Sequence, residues 1–413
     1  MEKFTLVIVA LLLVFTVFFL AFGQSKRDPN DLIIWTQDLP AGRVVLDTLL
    51  ARFERQNPGT RATEIYYETE EVRNNFVVAA QGGSGPDLVY GPSDMVGVFH
   101  VMGIIQPLND FFSAAELAQF DPMAVVRYKG HLYMLADRVG NHLTLVYNKK
   151  LLPHPPRTTV ELMAMGRKLT QDTNGDGKID QYALVWNFIE PFFFIPFMGG
   201  YGGWVMDDNA QPTLNTQATI DASKLIVRMR EEKIVPYECD LNLANQLFKE
   251  NKAAMVINGP WSWGGYLDAG IDIGVTRIPM VSETGLWPTP MVSATGFCLN
   301  INVQGERRER VLKLLRFLTA PENQLEYTRA LRAIPSNLEA RKDSMFVKDP
   351  ILLGSQDQIT VGRAMPIAPE MRAIWDAMRP PYQNILNGQL TPEQAAKKMQ
   401  DEATKLIAEM FEQ

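Results

Sequence analysis

Short apolar segments alternate with amphipathic segments through the first hundred residues, and no other feature of this chain constrains its fold as strongly. Strand-like runs occupy residues 31–36 (DLIIWT), 60–69 (TRATEIYYET) and 86–91 (PDLVYG). Two helix-like segments, residues 44–59 and 72–85, separate these runs and end in glycine. The order strand, helix, strand, helix, strand predicts a parallel, doubly wound sheet with helices on both faces.

The same alternation begins again after a proline-rich connector at residues 151–161 (LLPHPPRTTVE). Strand-like and helix-like runs then follow in turn, over residues 181–186, 221–234, 252–259 and 271–280. A chain of 413 residues is long for a single core, so a second core is the natural expectation. Because no low-complexity linker separates the halves, we predict two α/β lobes that the chain crosses several times and that move as a hinge.

The N-terminal segment carries no charge from Phe4 to Gln24, which is long for the apolar part of a signal peptide and about long enough to span a bilayer. We predict that residues 1–24 are an export signal, either cleaved or kept as a membrane anchor, and that the protein works outside the cytoplasm, in the periplasm or its equivalent. No cysteine directly follows this segment, so a lipid anchor is not expected. Cys239 and Cys298 are predicted to be buried free thiols.

Charge and motif content argue against several classes of function. The net charge is −7 and no basic patch of the kind that tracks phosphates is present, so nucleic acid is not an expected partner. The chain has no Gly-x-Ser-x-Gly elbow, no Walker A loop and no Gly-x-Gly-x-x-Gly turn after a strand. Its four histidines are scattered without metal spacing. We therefore expect a protein that is not an enzyme and requires no cofactor.

One segment, DTNGDGKIDQYA at residues 172–183, has the spacing of a calcium-binding loop. The candidate ligand positions are Asp172, Asn174, Asp176, Lys178 and Asp180. The twelfth position, where such loops carry a glutamate, is Ala183, so calcium would need water or a carboxylate from elsewhere. The alternative is an Asx-rich turn that forms without metal, and we favour it.

Aromatic and charged residues recur in turn-like contexts along the chain. Trp261 and Trp263 directly follow an apolar run and Asn-Gly-Pro, where large rings are hard to bury. Aromatic faces cover the apolar faces of sugars, and carboxylates and arginine bind the surrounding hydroxyl groups. Residues of both kinds are Asp94, Glu190, Trp261, Trp375 and Arg379. Each also has a structural interpretation, for example a helix cap for Asp94, core packing for Trp375 and a buried strand for the run PFFFIPF after Glu190.

Several motifs together resemble the maltose/maltodextrin-binding proteins of bacterial ABC transporters, within the wider family of extracellular sugar-binding proteins. They run in order over nearly the whole mature chain: LIIWT, GPDLVY with SDMVGVFHVMGII, LTLVYNKKLLPHPPRT, EPFFFIPFMGGYGG, FKENKAAMVINGPWSW, IDIGVTRIPM and IWDAMR. NGPWSW with KAAM upstream is the specific one. The resemblance implies a two-lobed periplasmic-binding-protein fold of type II, in which each lobe is an α/β sandwich and the ligand lies in the cleft between them.

By position, the resemblance implies that Asp94 and Glu190 bind sugar hydroxyls. Trp261, which we expect to project from a loop after a strand, would stack on a sugar ring together with Trp375. Arg379 would donate hydrogen bonds from the same helix face as Trp375, four residues away. Trp263 is as well suited to bracing the loop.

Other positions depart from the family pattern. Phe192 stands where a tyrosine is usual, and Asn141 where a glutamate is usual. Asp38 matches a binding aspartate, but Leu39 replaces the usual lysine, and a tryptophan expected near Tyr90 is missing. Losing a matched hydrogen-bond partner changes a preference by about 1–3 kcal/mol. The resemblance therefore implies a sugar-binding scaffold and leaves the preferred sugar open.

We assign residues 25–139 with 294–338 to the N-terminal lobe, and residues 140–293 with 339–413 to the C-terminal lobe. A mono- or oligosaccharide, with maltose or a maltodextrin as the first choice, would bridge the lobes of a monomer. Closure would bury the sugar, and the closed form would deliver it to an ABC transporter permease. Two other functions stay open, a ligand sensor for a membrane receptor and a glycoside hydrolase that uses the two cleft carboxylates.

Overall fold

A computed structural model describes residues 28–412 of the chain. The strands within this range are β1 Asp31–Thr36, β2 Arg61–Tyr66, β3 Leu88–Pro92, β4 Val125–Tyr128, β5 His131–Asn141, β6 Thr144–Asn148, β7 Tyr182–Val185, β8 Ala253–Asn258, β9 Ile273–Thr276, β10 Met291–Leu299, β11 Ile334–Pro335 and β12 Arg363–Ala364.

The α-helices of the same range alternate with these strands and then dominate the C-terminal third. They are α1 Pro40–Gln56, α2 Thr69–Gln81, α3 Met95–Val101, α4 Ala114–Leu117, α5 Thr159–Leu169, α6 Ile195–Gly200, α7 Gln217–Glu231, α8 Leu241–Lys249, α9 Pro260–Asp268, α10 Gly305–Leu318, α11 Pro321–Leu331, α12 Met345–Lys348, α13 Pro350–Ile359, α14 Glu370–Leu386 and α15 Pro392–Phe411.

The first sheet has the strand order β11-β5-β10-β3-β1-β2, and β4 and β12 pair with β5 and β10 beside this path. Strand β1 is parallel to both β2 and β3, as the alternation predicts. Strand β10, however, is antiparallel to β3 and β5, with Thr295 in its middle opposite Pro92 at the end of β3. The predicted parallel, doubly wound sheet is therefore correct for β1, β2 and β3 and wrong for the sheet as a whole, because β10 returns from the other lobe and runs antiparallel to β3.

The second sheet has the order β7-β8-β6-β9 and is also mixed. Strands β7 and β8 are parallel, whereas β6 is antiparallel to both β8 and β9. Strand β6 arrives from the first sheet, since β5 ends at Asn141 and β6 begins at Thr144. Strand β6 is therefore a second strand that crosses between the sheets and, like β10, runs antiparallel to its neighbours.

Two separate hydrophobic cores accompany the two sheets. The first takes its buried residues mainly from 32–139 and 294–334. The second takes them mainly from 143–291 and 365–407. The chain therefore passes between the cores near residue 141, within β10 and again after β11, and the cleft described below lies where these crossings meet.

Helix α13 contacts both lobes. Leu352 is buried in the first core, and its neighbour Ile351 is buried in the second. Gly354 lies so close to β9 that a Cβ atom there would overlap the carbonyl of Val275. Helix α13 therefore contributes adjacent residues to both cores. The lobe boundaries that we assign from the sequence remain a prediction.

The predicted export signal, residues 1–24, lies outside the described residues, so its cleavage or retention stays a prediction. Within residues 28–412, no helix has both the length and the apolar character needed to cross a bilayer.

Both cysteines are free and buried, which confirms the prediction from their apolar contexts. Burial raises the pKa of the Cys239 thiol to about 12, and it raises the pKa of the Cys298 thiol as well. Both thiols are therefore protonated at neutral pH and pack as small apolar groups.

Candidate ligand-binding site

A cleft of about 470 Å³ lies between the two cores. Its volume falls within the range of about 300–1,000 Å³ that is usual for small-ligand sites. The residues that the sequence predicts as sugar ligands all line it: Asp38, Asp94, Asn141, Glu190, Phe192, Trp261, Trp375 and Arg379. The fold thus brings together side chains from distant parts of the chain, and their roles in binding stay predictions.

Asp94 follows strand β3 and precedes helix α3, but its side chain makes no capping hydrogen bond. Arg73 of α2 instead donates from Nη2 to both Asp94 carboxylate oxygens, at 2.8 and 2.9 Å. The indole Nε1 of Trp375 donates to Oδ2 at 3.2 Å. Because Asp94 lies on the first lobe and Trp375 in the second core, this hydrogen bond joins the two sides of the cleft.

Asp38 follows strand β1, and a second buried arginine holds it. Its backbone N–H donates to the Thr36 hydroxyl at 3.0 Å, which fixes the turn after the strand. Arg138 of β5 donates from Nη2 to Asp38 Oδ2 at 2.6 Å. The side chains of both partners are 10% exposed, so the pair is shielded from solvent on most sides. We call Asp38, Arg73, Asp94 and Arg138 the polar wall.

Three rings of the second lobe form what we call the aromatic wall, which consists of Phe192, Trp261 and Trp375. The ring centroid of Phe192 lies 6.3 Å from those of both tryptophans. Phe192 is in a 3₁₀ helix, Pro191–Phe193, so the interpretation of this run as a buried strand is wrong. Trp375 is only 6% exposed and packs in the second core, so its structural interpretation holds for most of the ring.

Trp261 lies in the first turn of helix α9, which corrects the expectation that it projects from a loop. Pro260 occupies the first helical position, and Gly259 is the N-cap. The indole folds back over Gly259, where a Cβ atom would overlap the ring. Trp263 is fully buried and makes an edge contact with His142 at 6.4 Å between centroids, so it braces the helix from the core.

Glu190 and Arg379 meet at the rim of the aromatic wall. Arg379 donates from Nε to Glu190 Oε1 at 3.3 Å and from Nη2 to Oε2 at 3.1 Å. Its Nη1 donates to Asp376 Oδ1, one helical turn earlier on α14, at 3.1 Å. Trp375 and Arg379 are on the same helix and both line the cleft, as their spacing predicts.

An acidic residue of the first lobe crosses to this cluster. Glu70 on α2 forms ion pairs with Arg372 and with Arg379, whose Nη2 lies 3.5 Å from Glu70 Oε1. Burial by itself would raise the pKa of Glu70, but Arg73, Arg372 and Arg379 outweigh it and hold this pKa below its ordinary value. These ion pairs, like the Asp94–Trp375 hydrogen bond, connect the lobes across the cleft.

Asn141 lies at the end of β5, where the chain leaves the first sheet. Its side-chain amide donates to the Ser293 hydroxyl on β10 at 3.1 Å. Both crossing strands are therefore tied together at the floor of the cleft.

Five charged residues that line the cleft are not singled out from the sequence: Glu68, Glu70, Arg73, Arg138 and Asp240. Glu70 and Arg73 belong to an ordinary amphipathic pattern in α2, in which charges normally face solvent. Arg138 had a usable signal, because the adjacent charges Asp137 and Arg138 interrupt the apolar strand run HLYMLADRVG. Adjacent buried charges of this kind need partners and often mark a site.

The candidate calcium loop is an exposed network of Asx-type turns. Asp180 Oδ2 accepts hydrogen bonds from the backbone N–H and hydroxyl of Thr173, at 2.9 and 2.8 Å. Asp172 accepts from the backbone N–H groups of Gly175 and Gly177, at 2.7 and 2.8 Å. Over the described part of the chain, no group of three acidic, histidine or cysteine side chains is placed to hold a metal ion. Calcium binding stays a prediction, which a calcium-dependent melting temperature after chelation would test.

Several known proteins are similar to this chain in sequence. A maltotriose-binding protein of Pyrococcus abyssi is 29% identical over 396 residues, which cover 92% of this chain and 83% of that protein. A maltooligosaccharide ABC transporter solute-binding lipoprotein of Streptococcus pneumoniae is 25% identical over 342 residues, which cover 81% and 78%. These relatives are named for sugar binding or transport, as the cleft chemistry predicts.

A solved structure matches most of the chain. The maltose/maltodextrin-binding domain MalE from Bdellovibrio bacteriovorus, bound to maltotriose, superposes with a TM-score of 0.89 and 47% sequence identity. The match covers 92% of this chain and 100% of that domain, so the predicted two-lobed fold is confirmed. Residues 48–354 match the sequence model of the family described as bacterial extracellular solute-binding protein. This chain belongs to the bacterial extracellular solute-binding protein family.

Proposed function

We propose that this protein captures a maltooligosaccharide between its lobes, outside the cytoplasm, and delivers it to the membrane permease of an ABC transporter. The observation that carries the proposal is one cleft lined both by the rings of Trp261 and Phe192 and by the carboxylates of Asp38 and Asp94. Indole and phenyl faces cover the apolar faces of glucose rings, and ionised carboxylates accept hydrogen bonds from the hydroxyls at their edges.

The relatives support an α-glucoside as the ligand. The Bdellovibrio domain, 47% identical, is bound to maltotriose, and the Pyrococcus relative is a maltotriose-binding protein. The cleft volume of about 470 Å³ suits a ligand of a few rings rather than a long chain. We therefore propose maltotriose as the first ligand to test and maltose as the second.

Binding needs closure of the lobes around the sugar. Stacking and charge-assisted hydrogen bonds from both walls would supply about 8 kcal/mol, which corresponds to micromolar affinity. Small-angle scattering of the soluble protein, with and without maltotriose, tests this step. A smaller radius of gyration with sugar is expected, and an unchanged radius would count against a hinge.

The cellular setting is part of the proposal. Residues 1–24 would export the protein, as a cleaved signal or a retained anchor, and the mature protein would act as a monomer. Amino-terminal sequencing of the protein from its host membrane and soluble fractions separates the two forms. Genes for a permease or for a sensor kinase beside its own gene separate transport from a receptor-linked role.

A hydrolase is the less favoured function. Asp94 and Glu190 are each held by an arginine, Arg73 and Arg379, in an arrangement suited to accepting hydrogen bonds from a bound sugar. A glycosidase needs one of its two carboxyl groups to deliver a proton to the glycosidic oxygen. Overnight incubation with maltotriose is expected to release no glucose, and released glucose would support the hydrolase instead.

Isothermal titration tests the proposal directly. Residues 25–413 would be titrated with maltose, maltotriose, trehalose and a few unrelated oligosaccharides, with Trp261→Ala as the site control. We expect micromolar binding of maltotriose that Trp261→Ala greatly weakens. Silence across the panel would mean that the changes at Leu39, Asn141 and Phe192 have moved the site to another class of ligand.

A further inference from the structure

One guanidinium of the polar wall, that of Arg138, is shared between two carboxylates. Arg138 donates from Nη2 to Asp38 Oδ2 at 2.6 Å, and its Nε lies 3.4 Å from Asp137 Oδ2. Its Cζ atom lies 4.3 Å from the ring centroid of Tyr327 and 5.0 Å from that of Tyr90. The two rings pack against the guanidinium, and the Tyr90 hydroxyl also accepts a hydrogen bond from the same Nη2. The guanidinium thus lies between a carboxylate that lines the cleft, Asp38, and a buried one, Asp137.

The two carboxylates differ in access to a ligand. Asp38 lines the cleft, whereas Asp137 is 1% exposed and lies behind Arg138. Asp137 Oδ1 accepts a hydrogen bond from the Tyr90 hydroxyl at 3.0 Å. Asp137 Oδ2 and Arg138 Nε are both buried and make no hydrogen bond. Buried polar atoms without a partner are costly, so this rear contact is under-satisfied while the front contact is short.

We propose that Arg138 is a positioning residue that holds the Asp38 carboxylate for a ligand hydroxyl, and that Asp137 acts on the ligand through Arg138. The inference deepens the proposed function and rests on it, because Asp38 acts only if a sugar binds. An ionised Asp137 competes with Asp38 for the guanidinium and leaves Asp38 a stronger acceptor. A neutral Asp137 ends this competition, so that Arg138 takes up more of the acceptor capacity of Asp38.

Titration of Asp137 gives this coupling a readout. The titratable and charged groups that face it are Arg138 on its own strand, Asp38 after β1, Tyr90 on β3, Tyr327 on α11 and, beyond Tyr327, Asp47 on α1. Burial, with a smaller contribution from Asp38, raises the pKa of Asp137 to about 6, although Arg138 and Tyr90 act to lower it. We therefore expect the affinity for maltotriose to fall as the pH falls through this value.

A double-mutant cycle tests whether Arg138 acts through Asp38. Maltotriose binding would be measured at pH 7.5 for Arg138→Gln, Asp38→Asn and the double variant. We expect Arg138→Gln to weaken binding about tenfold in the wild type but less than about twofold in the Asp38→Asn background. An equal loss in both backgrounds would overturn the positioning role.

Two further variants keep this test valid if Arg138→Gln folds poorly. Arg138→Lys keeps the charge but has a single ammonium that cannot bond both carboxylates in fork geometry, so we expect a loss of about threefold with a folded protein. Arg307→Gln removes a comparable arginine that pairs with the buried Asp87 in the same lobe, away from the cleft. It should lower stability and leave affinity unchanged. A loss of affinity equal to that of Arg138→Gln would reduce Arg138 to a merely structural residue.

The pH profile tests the role of Asp137. Wild-type affinity for maltotriose should fall about threefold from pH 7.5 to pH 5, and Asp137→Asn should show the lower affinity at both values. The same pH dependence in Asp137→Asn would exclude Asp137 as the group behind Arg138. A wild type that binds no maltooligosaccharide would refute the proposed function and this inference with it, whereas normal binding with an additive cycle would refute the inference alone.

Discussion

The two walls of the cleft are made by different parts of the fold. The polar wall comes from the first lobe, where Asp38 and Asp94 follow strands β1 and β3 and two arginines hold them. The side chains of these ion pairs are between 4% and 11% exposed. The aromatic wall comes from the second lobe, where Phe192 and Trp261 are half-buried at the starts of short helices.

Because the two walls differ in burial, we expect them to contribute differently to stability and to ligand affinity. The polar wall consists of buried charges, and removing one partner leaves the other without its short ion pair, so these residues support folding as well as binding. The half-buried rings have a free face in the cleft, so their contribution is made mainly when a ligand covers that face. Variants of the polar wall should therefore change stability and affinity together, and variants of the half-buried rings should change affinity alone.

The largest expected effect is the loss of stability on breaking a buried ion pair of the polar wall. Asp94→Ala leaves the buried Arg73 guanidinium without its hydrogen-bonded carboxylate and with only Glu70, 3.8 Å away, so we expect the free energy of unfolding to fall by about 3–5 kcal/mol. Urea denaturation measures it. The matched control is Asp272→Ala, which breaks the ion pair between Lys149 and Asp272. Because the Asp272 side chain is 74% exposed, this variant should lower the free energy of unfolding by less than about 1 kcal/mol. Equal losses would show that the polar wall is not an energetically buried network.

The next effect is a pH dependence of stability that belongs to the polar wall. The pKa of Asp137 is raised from 3.8 to about 6 by burial, so between these values the folded protein keeps a proton that the unfolded chain loses. The free energy of unfolding should therefore fall by about 3 kcal/mol as the pH rises through this range, and this fall should be missing in Asp137→Asn.

The comparison with Asp137→Asn is needed because His142 acts in the opposite direction. Burial lowers the pKa of His142 from 6.5 to about 4, so its contribution to stability grows as the pH rises through that range. Subtracting the variant's profile from the wild-type profile cancels this contribution. A difference that does not change between pH 4 and pH 6 would contradict the buried, proton-bearing state of Asp137.

The third effect is the loss of affinity on removing the principal ring of the aromatic wall. Trp261→Ala should weaken maltotriose binding by about 2–3 kcal/mol, which is about 30- to 150-fold, with little change in melting temperature. Trp287→Ala is the matched control, because Trp287 packs on Arg277 and does not line the cleft. A melting temperature that drops as far as that of Asp94→Ala would remove the distinction between the walls.

The smallest expected effect is a change in affinity when a polar group is added to the aromatic wall. Phe192→Tyr restores the hydroxyl that the family usually carries at this position, and a new hydrogen bond to the sugar should raise affinity by about 1 kcal/mol, or about fivefold. Phe192→Leu, which keeps an apolar side chain without a ring, should instead weaken binding. Weaker binding by Phe192→Tyr would mean that the sugar has no free hydroxyl at this point.

Much of this cleft can be predicted from the sequence because its residues lie beside recognisable elements. Asp94 follows an apolar strand, Trp261 follows Asn-Gly-Pro, and Arg379 lies one helical turn after Trp375, so periodicity and resemblance together place them. Sequence reasoning does not show that β10 returns antiparallel, because strand direction depends on where the chain re-enters the sheet.

The partners of the predicted residues are harder to foresee. Arg138 reaches Asp38 across 100 positions of sequence, and Arg73 reaches Asp94 from a helix whose pattern indicates a solvent-facing charge. Such pairs are set by the packing of strands and by the approach of the two lobes. Local sequence therefore identifies side chains whose chemistry suits a sugar. The tertiary structure shows which of these side chains are held by partners in the absence of a ligand.

A crystal structure of residues 28–413 with maltotriose tests most directly whether the aromatic wall stacks on the sugar while the polar wall keeps its ion pairs. We expect sugar rings stacked on Trp261 and Trp375, with hydroxyl groups donating to Asp38 and Asp94 while Arg73 and Arg138 keep their ion pairs. A sugar bound elsewhere, or bound in the cleft with the arginines withdrawn from these carboxylates, would contradict a polar wall that is organised before the ligand binds.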